Sequence, residues 1–110
     1  MFGNIHEECG VFGIYGRDTA DVASDAYYGL FALQHRGQES CGIAVNDCGL
    51  ITVYKDVGIV NDVFTKESLA SLGTGQMAIG HVRYGTTGGL SRRNAQPLVI
   101  NHIKGSMALA

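Results

Sequence analysis

The sequence has little charge, a single proline, no tryptophan and no long hydrophobic run. Lys and Arg number 8 and Asp and Glu number 10, so the net charge is −2 and the basic surface of a nucleic-acid-binding protein is excluded. The lack of an apolar stretch of roughly 18 residues excludes a membrane-spanning helix. Charged residues make up 16% and hydrophobic residues 45%, which favours a folded chain over a disordered one. A length of 110 residues corresponds to one small domain.

Cysteine is also scarce, with Cys9, Cys41 and Cys48 alone. An odd number argues against a disulfide framework, and the N-terminal segment MFGNIHEE lacks the basic and apolar regions of a secretory signal. We therefore predict a reducing, cytoplasmic location. The three cysteines are too widely spaced to resemble the close ligand pairs of a zinc site, so we predict no metal site in this segment.

The first half of the chain predicts a strand, a helix and a polar turn. The strand is expected over residues 9–15. The helix is expected over 19–34, with Thr19 or Asp18 as its cap, because apolar residues recur there at helical spacing. The segment 34–40 is polar and contains a glycine, which is typical of a turn.

The remaining elements are predicted to be mostly strands joined by short connections. Because such joints favour antiparallel pairing over parallel βαβ units, we predict the α+β class. The apolar run SMALA at 106–110 ends without a turn, and we expect the chain to be a fragment. The predicted order is strands 41–46 and 50–55 with a hairpin turn between them, helix 61–72 ended by glycines at 73–75, strand 76–83, loop 84–96, and strands PLVIN and SMALA.

Cys9 opens the first predicted strand and is a candidate nucleophile. A thiol is only slightly ionised at neutral pH and needs a nearby base, yet no His or Lys lies within two residues of Cys9. If the peptide bond before Cys9 is cut, its own α-amine, with a pKa of about 7.7–8.0, can act as that base. The alternative is that Cys9 is an ordinary buried strand residue, as free cysteines commonly are.

A second candidate site is the segment GHVRYGTTGG at residues 80–89. A guanidinium such as that of Arg83 can bind a carboxylate or phosphate through two hydrogen bonds, and glycine-rich backbone supplies further N–H donors. A P-loop is excluded because no Gly-Lys-Ser/Thr ending is present. The alternative for this segment is a surface loop with Arg83 in a salt bridge. A third candidate is the polar segment LQHRGQES at 33–40, for which the alternative is a plain polar turn.

Four segments occur together in the order and spacing of one family: CGVFGI from residue 9, GLFALQHRGQESCGIAV at 29–45, GHVRYGTTG at 80–88 and NAQPL at 94–98. On these segments the chain resembles the N-terminal glutaminase part of the amidophosphoribosyltransferases, which are class II glutamine amidotransferases. The resemblance covers residues 9–110. It implies an N-terminal-nucleophile hydrolase fold, a four-layer αββα sandwich that is truncated here.

The resemblance also implies an activity and a set of site residues. Glutamine hydrolysis would supply ammonia to phosphoribosylpyrophosphate and form 5-phosphoribosylamine, the first step of de novo purine synthesis. Cys9 matches the family's catalytic nucleophile, which works as the mature N-terminal residue. Arg83 matches the arginine that holds the α-carboxylate of glutamine, and a planar guanidinium suits that task. Tyr84 and Thr86 match residues that line the same pocket.

Other positions have supporting roles in the resemblance. Arg36 and Gly37 match a turn that packs under the nucleophile and orients it. His35 and His81 are expected to be structural, since the family needs no histidine base. Cys41 stands where a small residue is usual, which indicates packing.

Residues 1–8 resemble the short propeptide that some members remove in maturation, so cleavage between Glu8 and Cys9 is expected. Until then the nitrogen of Cys9 is an amide and cannot act as a base. The family's oxyanion-hole and amino-group ligands would lie after Ala110, together with the phosphoribosyltransferase domain. We therefore expect the isolated fragment to be inactive.

The resemblance implies no cofactor in this segment. The full-length protein is expected to use Mg²⁺, and propeptide-bearing members often carry a 4Fe–4S cluster, whose ligands would not include Cys41 or Cys48. Expected partners are glutamine, phosphoribosylpyrophosphate through the missing domain, and further copies of the protein as a homo-oligomer. Two alternatives stay open: another class II amidotransferase, or a non-catalytic fragment or paralogue.

Overall fold

The computed structural model describes residues 9–16, 21–34, 38–84, 95–102 and 104–110. Its main feature is a four-stranded antiparallel sheet in the spatial order β1-β4-β2-β3. The predicted antiparallel pairing is therefore confirmed. The strands are β1 (Cys9–Tyr15), β2 (Gln38–Asp47), β3 (Leu50–Val57) and β4 (Met77–Tyr84).

Strand β2 begins at Gln38, three residues earlier than predicted, inside the segment expected to be a turn. The polar side chain of Gln38 is buried and its amide donates to the carbonyls of Ser40 and Gly58, at 2.8 and 2.7 Å. These bonds let a polar residue continue the strand, because a buried amide is tolerated once it is hydrogen-bonded. The prediction of a polar turn over 34–40 was therefore wrong for its last three residues.

Helix α1 (Val22–Leu33) packs against one face of the sheet. Its predicted apolar stripe is confirmed, since Val22, Ala26 and Leu30 are fully buried. The predicted cap was wrong: the capping residue is Asp21, which accepts hydrogen bonds from the backbone N–H and the hydroxyl of Ser24 at 3.1 and 2.8 Å. Thr19 and Asp18 lie outside the described residues.

The single helix predicted over 61–72 is two short helices, α2 (Val60–Val63) and α3 (Lys66–Leu72). The break falls at Phe64, which leaves helical geometry at φ −99° and ψ 108° and is buried in the core. Thr65 then starts α3 through a reciprocal capping box with Ser68. The helix ends as predicted at a glycine, Gly73, with a positive φ of 69°.

The turn between β2 and β3 confirms the predicted hairpin. Cys48 and Gly49 form it with positive φ values of 49° and 96°, as a tight turn between twisted strands requires. The amide oxygen of Gln76, which precedes β4, accepts the backbone N–H of Cys48 at 2.9 Å. This bond ties the turn to the neighbouring strand.

A second, two-stranded antiparallel sheet consists of β5 (Leu98–His102) and β6 (Gly105–Leu109), so both final strands are confirmed. It lies on the face of the main sheet opposite α1, where Ala108 borders a cavity of about 150 Å³ with Ala44 and Ile79. The described chain thus has helices, a main sheet and a smaller sheet as successive layers, a mixed α/β architecture. Within the described residues, no helix is long and apolar enough to cross a membrane.

Gly42 sets the distance between β2 and the segment that leads into β5. A Cβ atom at Gly42 would clash with the carbonyl oxygen of Gln96 and would lie 2.7 Å from Lys55 Cβ and 2.9 Å from Pro97 Cδ. Gly42→Ala is therefore expected to lower the free energy of unfolding by about 1–3 kcal/mol, the usual cost of overpacking. Denaturant unfolding of the full-length protein measures this.

Gly13 provides a matched control on β1, because among the described residues a Cβ there would meet only Ile79 Cγ2, at 4.0 Å. Gly13→Ala should leave the free energy of unfolding unchanged or raise it by up to about 1 kcal/mol, since glycine weakens a strand interior. Equal destabilisation by the two substitutions would contradict the packing argument.

Candidate functional site

The two principal residues predicted for the site are neighbours in the sheet. Cys9, the first residue of β1, lies directly opposite Arg83 near the end of β4, and Arg83 in turn lies opposite Ser40 on β2. Directly opposed residues in antiparallel strands have Cβ atoms about 4.5–5.5 Å apart, on one face of the sheet. Cys9, Arg83 and Ser40 therefore form one row, named here the Cys9 row.

Cys9 is exposed on the face of the main sheet opposite α1. Burial alternates along β1, with Phe12 and Ile14 packed against the core next to α1 and Cys9 and Val11 exposed on the other face. Because strand side chains point alternately to the two faces, Cys9 faces away from α1. A thiol in this position is accessible to a small molecule.

Arg83 is half-buried on the same face as Cys9. Tyr84, the next residue, points to the opposite face, where it is buried and its hydroxyl donates to the carbonyl oxygen of Leu33 at 2.6 Å. That bond ties the end of β4 to the end of α1. The predicted role of Tyr84 in lining a pocket stays a prediction.

Arg36, Gly37 and Thr86 lie outside the described residues, and their predicted roles stay predictions. The residues that flank Arg36 and Gly37 are well anchored: the side-chain oxygens of Gln34 and Gln38 both lie 3.2 Å from the backbone nitrogen of Val60, whose N–H they accept. The sequence analysis did not predict that the side chain of Gln38 anchors β2 to the backbone of Val60 and Gly58. A signal was present in the isolated glutamine before an apolar strand, but its partners come from a distant part of the chain.

His81 lies two residues before Arg83 on the same face of β4 and is buried, with 3% of its surface exposed. Burial, and secondarily the positive charge of Arg83, lower the pKa of His81. Its imidazole is therefore neutral at physiological pH. Burial fits the expected structural role, whereas His35 lies outside the described residues.

The two remaining cysteines differ in environment. Cys41 is buried, and its thiol lies 3.7 Å from the carbonyl oxygen of Gly58. Burial, with a further contribution from Asp56, raises the pKa of Cys41 to about 12, so the thiol is inert, as its predicted packing role implies. Cys48 is exposed in its hairpin turn. Over the described part of the chain, no three His, Cys, Asp or Glu side chains come together in a way that could hold a metal ion.

Comparison with known proteins gives consistent relatives, although no protein-family model matches the chain. The amidophosphoribosyltransferase of Methanocaldococcus jannaschii is 53% identical over 102 residues, which is 93% of this chain and 21% of that protein. The amidophosphoribosyltransferase of Bacillus subtilis is 47% identical over 107 residues, which is 96% of this chain and 22% of that protein.

Solved structures agree with the sequence relatives. One, of an allosteric regulatory enzyme of purine biosynthesis, superposes with a TM-score of 0.75 at 45% identity and covers 89% of this chain and 21% of that one. The glutamine phosphoribosylpyrophosphate amidotransferase from B. subtilis, solved with ADP and GMP, gives a TM-score of 0.73 at 46% identity. This match covers 91% of this chain and 21% of that one. The chain thus spans about one fifth of the length of the relatives it matches. Over about nine tenths of its length, the chain is therefore similar in sequence and in fold to part of the amidophosphoribosyltransferases.

Proposed function

We propose that this chain is the glutamine-hydrolysing segment of an amidophosphoribosyltransferase and that Cys9 and Arg83 form its glutamine site. The observation that carries the proposal is the Cys9 row: an exposed thiol and a half-buried guanidinium lie directly opposite each other on one face of the sheet. Glutamine has its α-carboxylate at one end and its reactive amide at the other. A guanidinium and a thiol on neighbouring strands can therefore engage both ends of one substrate molecule.

Cys9 acts as nucleophile once residues 1–8 have been removed. Its free α-amine takes the thiol proton, and the thiolate attacks the side-chain amide carbon of glutamine. Collapse of the tetrahedral intermediate breaks the carbon–nitrogen bond, the amine returns the proton to the leaving group, and ammonia departs. Water then hydrolyses the thioester, with the amine as base, and releases glutamate and the free thiol.

Arg83 binds the α-carboxylate of glutamine and so fixes the position of the amide relative to the thiol. A planar guanidinium forms two parallel hydrogen bonds with a carboxylate, which controls orientation as well as affinity. Thr86 lines the same pocket, and Arg36 and Gly37 form the turn that orients Cys9, whereas Tyr84, whose side chain lies on the opposite face of the sheet, contributes through the backbone and not as a wall of the pocket. The attachment of Tyr84 to the Leu33 carbonyl supports this arrangement, because it fixes the backbone next to Arg83.

The complete enzyme uses the released ammonia to displace pyrophosphate from phosphoribosylpyrophosphate and form 5-phosphoribosylamine, the first step of purine synthesis. We assign this second reaction, the Mg²⁺ it requires and any 4Fe–4S cluster to the phosphoribosyltransferase part of the full-length protein. We propose a cytoplasmic homo-oligomer.

The proposed fold is the four-layer αββα sandwich of N-terminal-nucleophile hydrolases. Its support is the outer face of the β5–β6 sheet, which points away from the main sheet and carries four exposed apolar side chains. An apolar sheet face of this kind normally packs against another layer. The four residues are Leu98, Ile100, Met107 and Leu109.

A single experiment tests processing, nucleophile and substrate together. The full-length protein is treated with a diazo-ketone that mimics glutamine, digested and mapped by mass spectrometry. We expect the adduct on a peptide that begins at Cys9, with Cys48, the other exposed cysteine, as the internal control for non-specific alkylation. An unlabelled peptide that begins at Cys9 would refute the glutamine site, and a peptide that still begins at Met1 would refute the processing.

A further inference from the structure

His81 is buried next to the Cys9 row without a visible reason for being polar. Only 3% of its surface is exposed, and neither ring nitrogen has a hydrogen-bond partner among the residues that the structure describes. Native proteins pair nearly all their buried polar atoms, because an unpaired one lowers stability. A packing role alone would be filled better by an apolar side chain, as at Val82 on the same strand.

The surroundings of His81 limit what its imidazole can bind. Its row across the sheet contains Val11 on β1, Gly42 on β2 and, opposite Gly42, Lys55 on β3. Val11 has no polar side-chain atom, Gly42 has no side chain, and the ammonium group of Lys55 donates to the carbonyl of Pro97 at 3.2 Å. Two further polar side chains lie on this face in the next row, Arg83 on β4 and Ser40 opposite it on β2. Of these, Arg83 is the one whose charge acts on His81.

The distance along the strand suits a contact between the two side chains. Residues i and i+2 of a strand point to the same face and lie about 6.6–6.8 Å apart. A guanidinium on its long stem can bend back over that distance. A neutral imidazole has one unprotonated nitrogen that accepts a hydrogen bond, and a guanidinium has five N–H donors and no acceptor.

We propose that His81 is a positioning residue for Arg83: when glutamine binds, the unprotonated ring nitrogen of His81, which has no partner among the described residues, accepts an N–H of the guanidinium and holds the other N–H groups in the plane that receives the α-carboxylate. The inference rests on the proposed function. The lowered pKa of His81 supports it, because a protonated imidazole could not accept the bond and would repel the guanidinium.

The test compares three variants of the processed full-length enzyme. His81→Phe removes the acceptor and keeps an aromatic ring, His81→Gln restores an acceptor at a similar reach, and Ile79→Val is the matched control, two residues earlier on the same face of β4. For each variant KM and kcat are measured with glutamine and with its α-carboxamide, which lacks the carboxylate, and thermal stability is measured without substrate.

With glutamine, His81→Phe should raise KM about 10-fold and change kcat little, which corresponds to one hydrogen bond to a charged group. With the α-carboxamide its KM should equal that of the wild type, because Arg83 has no carboxylate to hold. His81→Gln should recover most of the glutamine KM. The melting temperature of His81→Phe should be unchanged or higher, and Ile79→Val should leave both KM values unchanged.

Two results would overturn the proposal. One is an equal rise in KM for both substrates, and the other is a loss of thermal stability in His81→Phe that accounts for its loss of activity. A wild-type enzyme that does not hydrolyse glutamine would instead contradict the proposed function. The wild-type measurement therefore separates a failure of the proposed function from a failure of this inference.

Discussion

Replacing Cys9 by alanine in the full-length, processed enzyme should abolish hydrolysis of glutamine. The substitution removes the only atom that forms the thioester, and loss of a catalytic nucleophile lowers kcat by roughly 10⁴–10⁶-fold in comparable covalent hydrolases. The alanine side chain is smaller and Cys9 is exposed at the start of β1, so no destabilisation is expected. Release of glutamate from glutamine measures the effect.

Two controls make this result specific. Cys48→Ala removes the other exposed cysteine, which lies in the β2–β3 turn, and should leave glutamine hydrolysis unchanged. Synthesis of phosphoribosylamine from an ammonium salt should persist in Cys9→Ala, because added ammonia replaces the product of the glutamine site. Glutamate release by Cys9→Ala within about 10-fold of the wild type would assign the nucleophile elsewhere.

The parts of the fold that follow from local pattern were predicted correctly. The strand at residues 9–15, the apolar stripe of α1 and the hairpin turn at Cys48 and Gly49 all depend on residues close together in sequence. Each of these features is determined by a short-range periodicity or by the backbone conformation of neighbouring residues. Local physics therefore identified most elements and the antiparallel class.

The errors fall where distant contacts outweigh local preference. Gln38 extends β2 because Gly58, twenty residues later, accepts its amide hydrogen. The predicted helix 61–72 breaks because Phe64 leaves helical geometry and enters a core made by other elements, while Thr65 offers a new cap. Neither event can be read from a short window of sequence.

The site shows the same division. Motif order predicted Cys9 and Arg83 as separate site residues, but their pairing is a property of the β1–β4 register, which joins positions more than seventy residues apart. The buried, neutral His81 was expected to be merely structural, because its unpaired nitrogens become visible only when its row across the sheet is known. Sequence identified the chemical groups, and the sheet register determines which of them can act together.

Retention of residues before Cys9 should strongly inactivate the glutaminase, although less than loss of the thiol does. A preceding peptide bond converts the α-amine into an amide, which has no basic lone pair to take the thiol proton. General acid–base catalysis contributes about 10²–10⁴-fold, so kcat/KM for glutamine should fall by that factor. The measurement compares a full-length enzyme whose first residue is Cys9 with the same enzyme carrying one additional alanine ahead of it.

The one-residue extension is the sharpest form of this test, because it leaves Cys9, Arg83 and the β1–β4 pairing in place. Its stability should match that of the processed enzyme, and synthesis from an ammonium salt should be equal in the two forms. Glutamine hydrolysis by the extended form at the rate of the processed form would show that another group is the base. In that case His81 would be the first candidate for that base and the first residue to substitute. It lies two residues from Arg83, and its lowered pKa keeps it neutral.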